Sequence, residues 1–420
     1  MMAFETVRGM RDFPPELARK KQLIEDTCRC VFERYGFEPL DTPIVENLDL
    51  LTKKGSSGEA IENEIYSFKD KGGRNLGLRF DLTVPLARFV ASSRSLPIPF
   101  KRYQIGKVYR YDRPQAKRYR EFTQADADIV GVGSVLAELE LISLSYDIMK
   151  ELNIEAKLIL NSRKILESIA IASGIRKDQI GECFRAIDKA DKIGWAEVER
   201  ELCSKQIRTD ILDIIKRNDL DYAKKFVLDS GQKDESFGRL NELLEYIKLI
   251  GLSDFVNVDL SLARGLDYYT DIVMEIKVSQ GPSIGGGGRY DKLIEQYSDR
   301  SICATGISFG IDRILDSIGD QIVLGASPVK VFVSVVRKDD CKEAIKLVSK
   351  LRAFRISAEF DLMQRDISKN LEYASRKGIP YFIIIGPKEL SEGKIKMRDM
   401  KTGLERYIAI KDIEKIKEIL

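Results

Sequence analysis

The stretch "KRYQIGKVYRYDRPQAKRYREFTQADADIVG", residues 101–131, decides how the rest of the chain is read. Each half has the length and residue alternation of a long strand, and a basic loop from Arg113 to Arg118 joins them. Arg110, Arg113, Arg118 and Arg120 ride on this hairpin with tyrosines and Phe122 between them. A guanidinium fork suits phosphate and carboxylate, and an aromatic face suits a base. An ordinary basic hairpin would carry the same residues, so the surroundings must decide.

Upstream, apolar residues at helical spacing predict a helix from Pro14 to Tyr35, stopped by Gly36. "FEPLDTPIVE" follows as an extended segment broken by Pro39 and Pro43, and "IYSFKDKGGRNLGLRFDLT" reads as two strands around a Gly72-Gly73 turn. Residues 83–95 read as helix. Downstream come a helix over 134–151 and the strand "EAKLILN". Residues 163–250 have helical periodicity and many charges, which predicts an inserted helical domain. Strand character returns in "FVNVDLSLARGLDYYTDIVMEIKV", where Tyr268, Thr270, Ile272, Met274 and Ile276 alternate with Tyr269, Asp271, Glu275 and Lys277. The cluster "GPSIGGGGRYD" is either a flexible turn or a place where backbone approaches a ligand closely. It has neither P-loop nor dinucleotide spacing. "TGISFGIDRILDSI" is a strand running into a helix that begins near Arg313. Beyond Ser327-Pro328, "VKVFVSVV", "AEFDL" and "YFIIIG" alternate with helices around 340–353 and 366–377. That is a βαβαβ unit with a parallel sheet.

The 420 residues suffice for roughly two to four domains at about 100–200 residues each. With 44% hydrophobic and 32% charged residues, no apolar leader and no run long enough to span a bilayer, the expectation is a soluble cytoplasmic protein that meets no membrane. A net charge of +3 makes any nucleic-acid footprint local. Six scattered cysteines read as reduced thiols. The chain has no histidine at all, which removes Ser-His-Asp hydrolysis, His-based acid–base chemistry and every His-containing zinc pattern. Catalysis would run on arginine, carboxylates, tyrosine, backbone and bound cations.

Taken together, the pieces resemble the class II aminoacyl-tRNA synthetases. The first helix with "PLDTPIVE" and Pro43 looks like motif 1. Tyr109-Arg110-Tyr111-Asp112, the loop and Arg118-x-x-x-Phe122 look like motif 2, and Gly310-Ile311-Asp312-Arg313 looks like motif 3. "RGLDYYT" and "GGGRYD" are similar to the two signatures of histidyl-tRNA synthetases. "VRGMRDFPPE" looks like that family's usual beginning, and "FDLTVPLARF" like its archaeal and eukaryotic branch. The resemblance implies an α+β fold: a catalytic core on an antiparallel sheet (1–162 and 253–326), an inserted helical domain (163–252) and a C-terminal α/β anticodon-binding domain (327–420). It implies ATP as substrate, Mg2+ bridging its phosphates with no dedicated protein ligands, L-histidine and tRNA(His) as partners, and a homodimer through motif 1.

Residue by residue, the resemblance makes Arg264 the cation on the α-phosphate and gives Arg110 the carboxylate or α-phosphate. It assigns the α-ammonium to Asp81, Thr83 and Gln124, with Leu82 beside them, and the imidazole to Asp128, Tyr268 and Tyr269. ATP would be met by Arg118 and Arg313 at the γ-phosphate, Phe122 on the adenine and Asp112 at its edge. Arg113, Gln115 and Arg120 would touch the tRNA end. The competing reading is the synthetase-like regulatory subunit of ATP phosphoribosyltransferase, a histidine sensor that usually lacks the anticodon domain and erodes the ATP-binding arginines.

Overall fold

The computed structural model describes residues 4–53, 64–111, 119–232, 235–263, 268–279, 282–325 and 327–420. The chain divides into two compact units, one ending at Gln321 and one beginning at Ile322.

In the first unit the strands are β1 (Glu38–Pro39), β2 (Val45–Asn47), β3 (Ser67–Lys69), β4 (Asn75–Leu78), β5 (Phe100–Tyr109), β6 (Glu121–Val130), β7 (Ala156–Ser162), β8 (Val256–Val258), β9 (Ile272–Val278), β10 (Gly285–Arg289) and β11 (Ala304–Gly310). Eight of them form one sheet in the order β1-β5-β6-β11-β10-β9-β7-β8. It is antiparallel except for the parallel edge pairs β1–β5 and β7–β8. The expected hairpin supplies its second and third strands: β5 and β6 pair along their whole length, from Phe100 opposite Val130 to Tyr109 opposite Glu121. The expected turn strands, β3 and β4, form a small antiparallel sheet with β2.

The two-residue period of a strand sorts β6 into two faces. Ala125 and Ala127 share a face with Phe309 and Tyr103, which lie directly opposite them on β11 and β5. Those two rings stand 6.1 and 5.5 Å from Phe32 of the helix Pro15–Arg34. That helix presents Ile24, Cys28, Val31 and Phe32, all fully buried, to the sheet. Helices Leu136–Glu151 and Ile311–Ile318 pack on the sheet as well. Gln124, Asp126 and Asp128 therefore point the other way.

Two readings change. The strand expected from Tyr268 begins at Ile272. β9 lies between β10 and β7, so Ile272, Val273 and Met274 are buried on both faces, and alternation is visible only further along. The glycine run is neither turn nor loop. Gly285–Arg289 is a fully buried strand between β9 and β11.

Residues 163–249 of the described chain are helical, from Arg163–Ala172 to Glu235–Leu249. The second unit contains the expected parallel strands β12 (Val331–Val335), β13 (Ala358–Phe360) and β14 (Tyr381–Ile385), in the order β13-β12-β14, with helices Cys341–Ala353 and Ile367–Arg376. Two further antiparallel strands, β15 (Lys394–Asp399) and β16 (Glu405–Ala409), extend the sheet beyond β14. Ile395 and Met397 turn inward between exposed or half-buried Lys394, Lys396 and Arg398. All six cysteines are free thiols.

Candidate active site

The uncovered face of the sheet holds a cleft of about 220 Å³. Asp81, Thr83, Arg110, Phe122, Gln124, Asp128, Tyr268, Tyr269 and Arg313, drawn from distant parts of the sequence, line it together. Leu82 does not. It is fully buried, and its carbonyl accepts a hydrogen bond from Arg102 Nη2 at 3.1 Å. Arg120 also lies outside the lining, with its guanidinium 4.0 Å from the centre of the Tyr111 ring. Asp112, Arg113, Gln115, Arg118 and Arg264 fall outside the described residues.

The glycines let β10 and β11 and the Asp128 side chain pack closely in the cleft wall. A Cβ on Gly287 would stand 2.0 Å from the Gly306 carbonyl oxygen, and one on Gly306 would stand 1.9 Å from Asp128 Oδ1. The next residues of the same signature divide their tasks. Arg289 turns away from the cleft and is buried: its Nε and Nη2 donate to Glu138 at 2.6 and 2.8 Å, and two carbonyls, Val132 and Ser134, accept from it at 2.9 and 3.1 Å. Tyr290 turns inward and its hydroxyl donates to Asp128. Tyr290 was not anticipated.

Asp128 is the centre of a buried polar cluster. Arg102, directly opposite on β5 and fully buried, places Nη2 2.7 Å from Asp128 Oδ2. Burial pushes the Asp128 carboxyl above its usual range, while Arg102 and Tyr290 oppose the shift. Asp126, one step along the same face, also lines the cleft and was likewise missed. Burial raises it to about 7, with Arg102 opposing the shift and the Asp128 charge adding to it. Asp81 caps the helix Thr83–Ser92 by accepting from the Val84 N–H at 3.0 Å. Burial raises it to about 6. The Tyr268 and Tyr290 phenols are held well above their ordinary value, chiefly by burial, and so remain donors. Gln124 donates to Ser308 Oγ at 2.6 Å, and its Oε1 is a buried acceptor with no hydrogen-bond partner among the described residues. Arg110 donates from Nε to the Phe80 carbonyl at 3.0 Å and lies 5.3 Å from the centre of the Phe122 ring. Arg313 donates to the Ser283 carbonyl at 2.9 Å.

The Asp126 shift has a stability consequence with a definite sign. Between the ordinary aspartate value and about 7, this carboxyl is neutral in the fold and ionised in the unfolded chain, so its contribution to stability falls as pH rises through that window. Asp126→Asn removes the ionisation. Relative to the parent protein it should gain stability progressively from about pH 4 to about pH 7 and hold that gain above, read by urea unfolding at each pH. A difference independent of pH would mean that Asp126 titrates normally.

Residues 9–314 match the family described as histidyl-tRNA synthetase, and residues 330–419 match the anticodon binding domain. A histidine–tRNA ligase of Bacillus cereus is 34% identical over 425 residues, covering 98% of this chain and 97% of that protein. One from Methanocaldococcus jannaschii is 34% identical over 421 residues, covering 98% and 99%. The crystal structure of histidyl-tRNA synthetase from Nostoc superposes with a TM-score of 0.87 at 28% identity, covering 100% of both chains. The chain belongs to the histidyl-tRNA synthetase family, a family of aminoacyl-tRNA ligases.

Proposed function

We propose that this chain activates L-histidine with ATP to histidyl-adenylate and pyrophosphate, then transfers histidine to the 3′ end of tRNA(His). The observation that carries this is the convergence of Asp81, Arg110, Gln124, Asp128, Tyr268, Tyr269 and Arg313 in one cleft. The nucleophile is a carboxylate, already ionised at neutral pH, so a chain without histidine lacks nothing for the step. Gln124 Oε1, without a partner among the described residues, suits an α-ammonium group together with Asp81 and Thr83. Asp128, oriented by Arg102 and Tyr290, keeps lone pairs for an imidazole N–H, and a protonated phenol can donate to the bare ring nitrogen. A buried polar site of this kind rejects analogues lacking the partner group by about 10⁴–10⁵.

Phe122 would stack on adenine, with Asp112 at its edge and Arg118 and Arg313 at the γ-phosphate. Among the described residues, no three His, Cys, Asp or Glu side chains cluster to cage a metal ion. The reading includes a Mg2+ that would be carried on the triphosphate with several of its own waters. We assign the core to 1–162 and 253–326, the helical insertion to 163–252 and the anticodon reader to 327–420. Arg113, Gln115 and Arg120 would meet the tRNA end, in a cytoplasmic homodimer joined through motif 1. No helix among the described residues is long and apolar enough to cross a membrane. The regulatory-subunit reading is disfavoured by the anticodon-binding domain at 330–419.

The test is ATP–pyrophosphate exchange with each of the twenty amino acids. Histidine alone should drive it. Exchange with another amino acid and none with histidine would overturn the reading.

A further inference from the structure

The segment "VRGMRDF", residues 7–13, is assigned no task by the proposed reaction, yet through Arg11 it contacts Tyr119 and Asp312, which line the cleft. Gly9, at φ +86°, accepts the Arg120 N–H at 2.7 Å, and a Cβ there would stand 2.8 Å from the Arg120 side chain. The chain thus lies against the beginning of β6. Two residues on, Arg11 spreads its fork across two elements. Nη2 donates to Asp312 at 3.1 Å, while Nη1 donates to Asp316 at 3.0 Å and to the Tyr119 hydroxyl at 2.6 Å. The guanidinium also sits 3.9 Å from the centre of the Tyr119 ring. Tyr119 in turn donates to Asp316 at 3.0 Å, and the other Asp312 oxygen accepts the Thr123 N–H at 2.7 Å.

These contacts join the two elements that carry ATP candidates. Tyr119 and Thr123 flank Phe122 on and beside β6, and Asp312 precedes Arg313 on the helix Ile311–Ile318. Asp312 and Asp316 are one turn apart on that helix, where two like charges repel. Asp312 is almost wholly buried, so it needs a cation. Lys21 stands at 3.6 Å from it, but a lysine is a point charge and cannot bridge both carboxylates and a phenol. Beside the direct bond from the Thr123 N–H to Asp312, the arginine fork adds a charged tie between both helix carboxylates and Tyr119, ahead of the strand.

We propose that Arg11 is a positioning residue for ATP: it sets the spacing between the Phe122 face and the Arg313 side chain. The inference rests on the proposed assignment of those two residues to ATP. In the full-length protein, Arg11→Ala should raise the ATP KM in pyrophosphate exchange by about tenfold or more and move the histidine KM by less than about twofold. Arg11→Lys, which restores the charge without the fork, should recover only part of the loss. If Arg11→Ala does not fold, Arg11→Gln and Asp316→Asn break the same contact more gently and must give the same split. Phe122→Ala and Arg313→Ala are measured alongside. If they raise the ATP KM and the Arg11 variants do not, the positioning role is wrong and the ATP assignment stands. If the Arg11 variants raise both KM values equally, or lower only the melting temperature, Arg11 is a general structural contact and the proposal is overturned. If Phe122→Ala and Arg313→Ala leave the ATP KM unchanged, the ATP assignment fails and this inference falls with it.

Discussion

Arg264→Ala should lower kcat for histidine activation by about 10²–10³, the loss that follows removal of one preorganised donor to developing charge. The nucleophile needs no base, so the barrier lies mainly in charge accumulating on the α-phosphate oxygens. A cation fixed there acts on the transition state more than on either bound substrate, so the KM values for ATP and histidine should change less than kcat. Exchange kinetics at saturating substrates measure the first quantity and substrate titrations the second. Normal kcat with raised KM would make Arg264 a binding residue.

Arg289→Met should destabilise the unit ending at Gln321 by about 3–5 kcal/mol, because it strands Glu138 as a buried, uncompensated carboxylate. The cause is the missing partner, not the worth of the pair. Replacing both residues with apolar side chains should therefore recover much of the loss. Urea unfolding of the parent, the single variant and the Glu138→Met, Arg289→Met double variant measures both effects. Since Arg289 faces away from the cleft, the histidine KM of any folded fraction should stay near that of the parent. A single variant as stable as the parent would remove the anchoring role.

The long hairpin, the parallel C-terminal trio and most helices were legible because period and length carry them. The glycine run was not. Nothing in glycine's intrinsic preference marks a strand, and only the register beside Gly306 and Asp128 gives the reason for it. Arg102 was missed for a related reason. Its pairing with Asp128 exists only once β5 and β6 are aligned, and a one-residue slip would turn its side chain to the opposite face. Asp126 could have been found: Gln124, Asp126 and Asp128 alternate with alanines, and a polar face with no room behind it faces something polar. Tyr290 lay inside a quoted signature, but neither spacing nor composition says that Arg289 and Tyr290 point in opposite directions. β15 and β16 were overlooked because their outward lysines and arginines mask the inward Ile395 and Met397.

The backbone along Gly285, Gly286, Gly287 and Gly306 has a consequence for how selectivity could evolve. This part of the cleft has no rotamers. A ligand arriving there freezes no side chain, so the ordering penalty of about 0.5–1.5 kcal/mol per immobilised side chain is avoided. The same economy leaves mutation little to adjust. Any residue larger than glycine at 287 or 306 collides with neighbouring backbone or with Asp128 before it reaches a ligand. A descendant of this protein that accepts a different amino acid would have to be remodelled at its walls, through Asp128, Tyr268, Tyr269 and Tyr290, while the glycines stayed as they are.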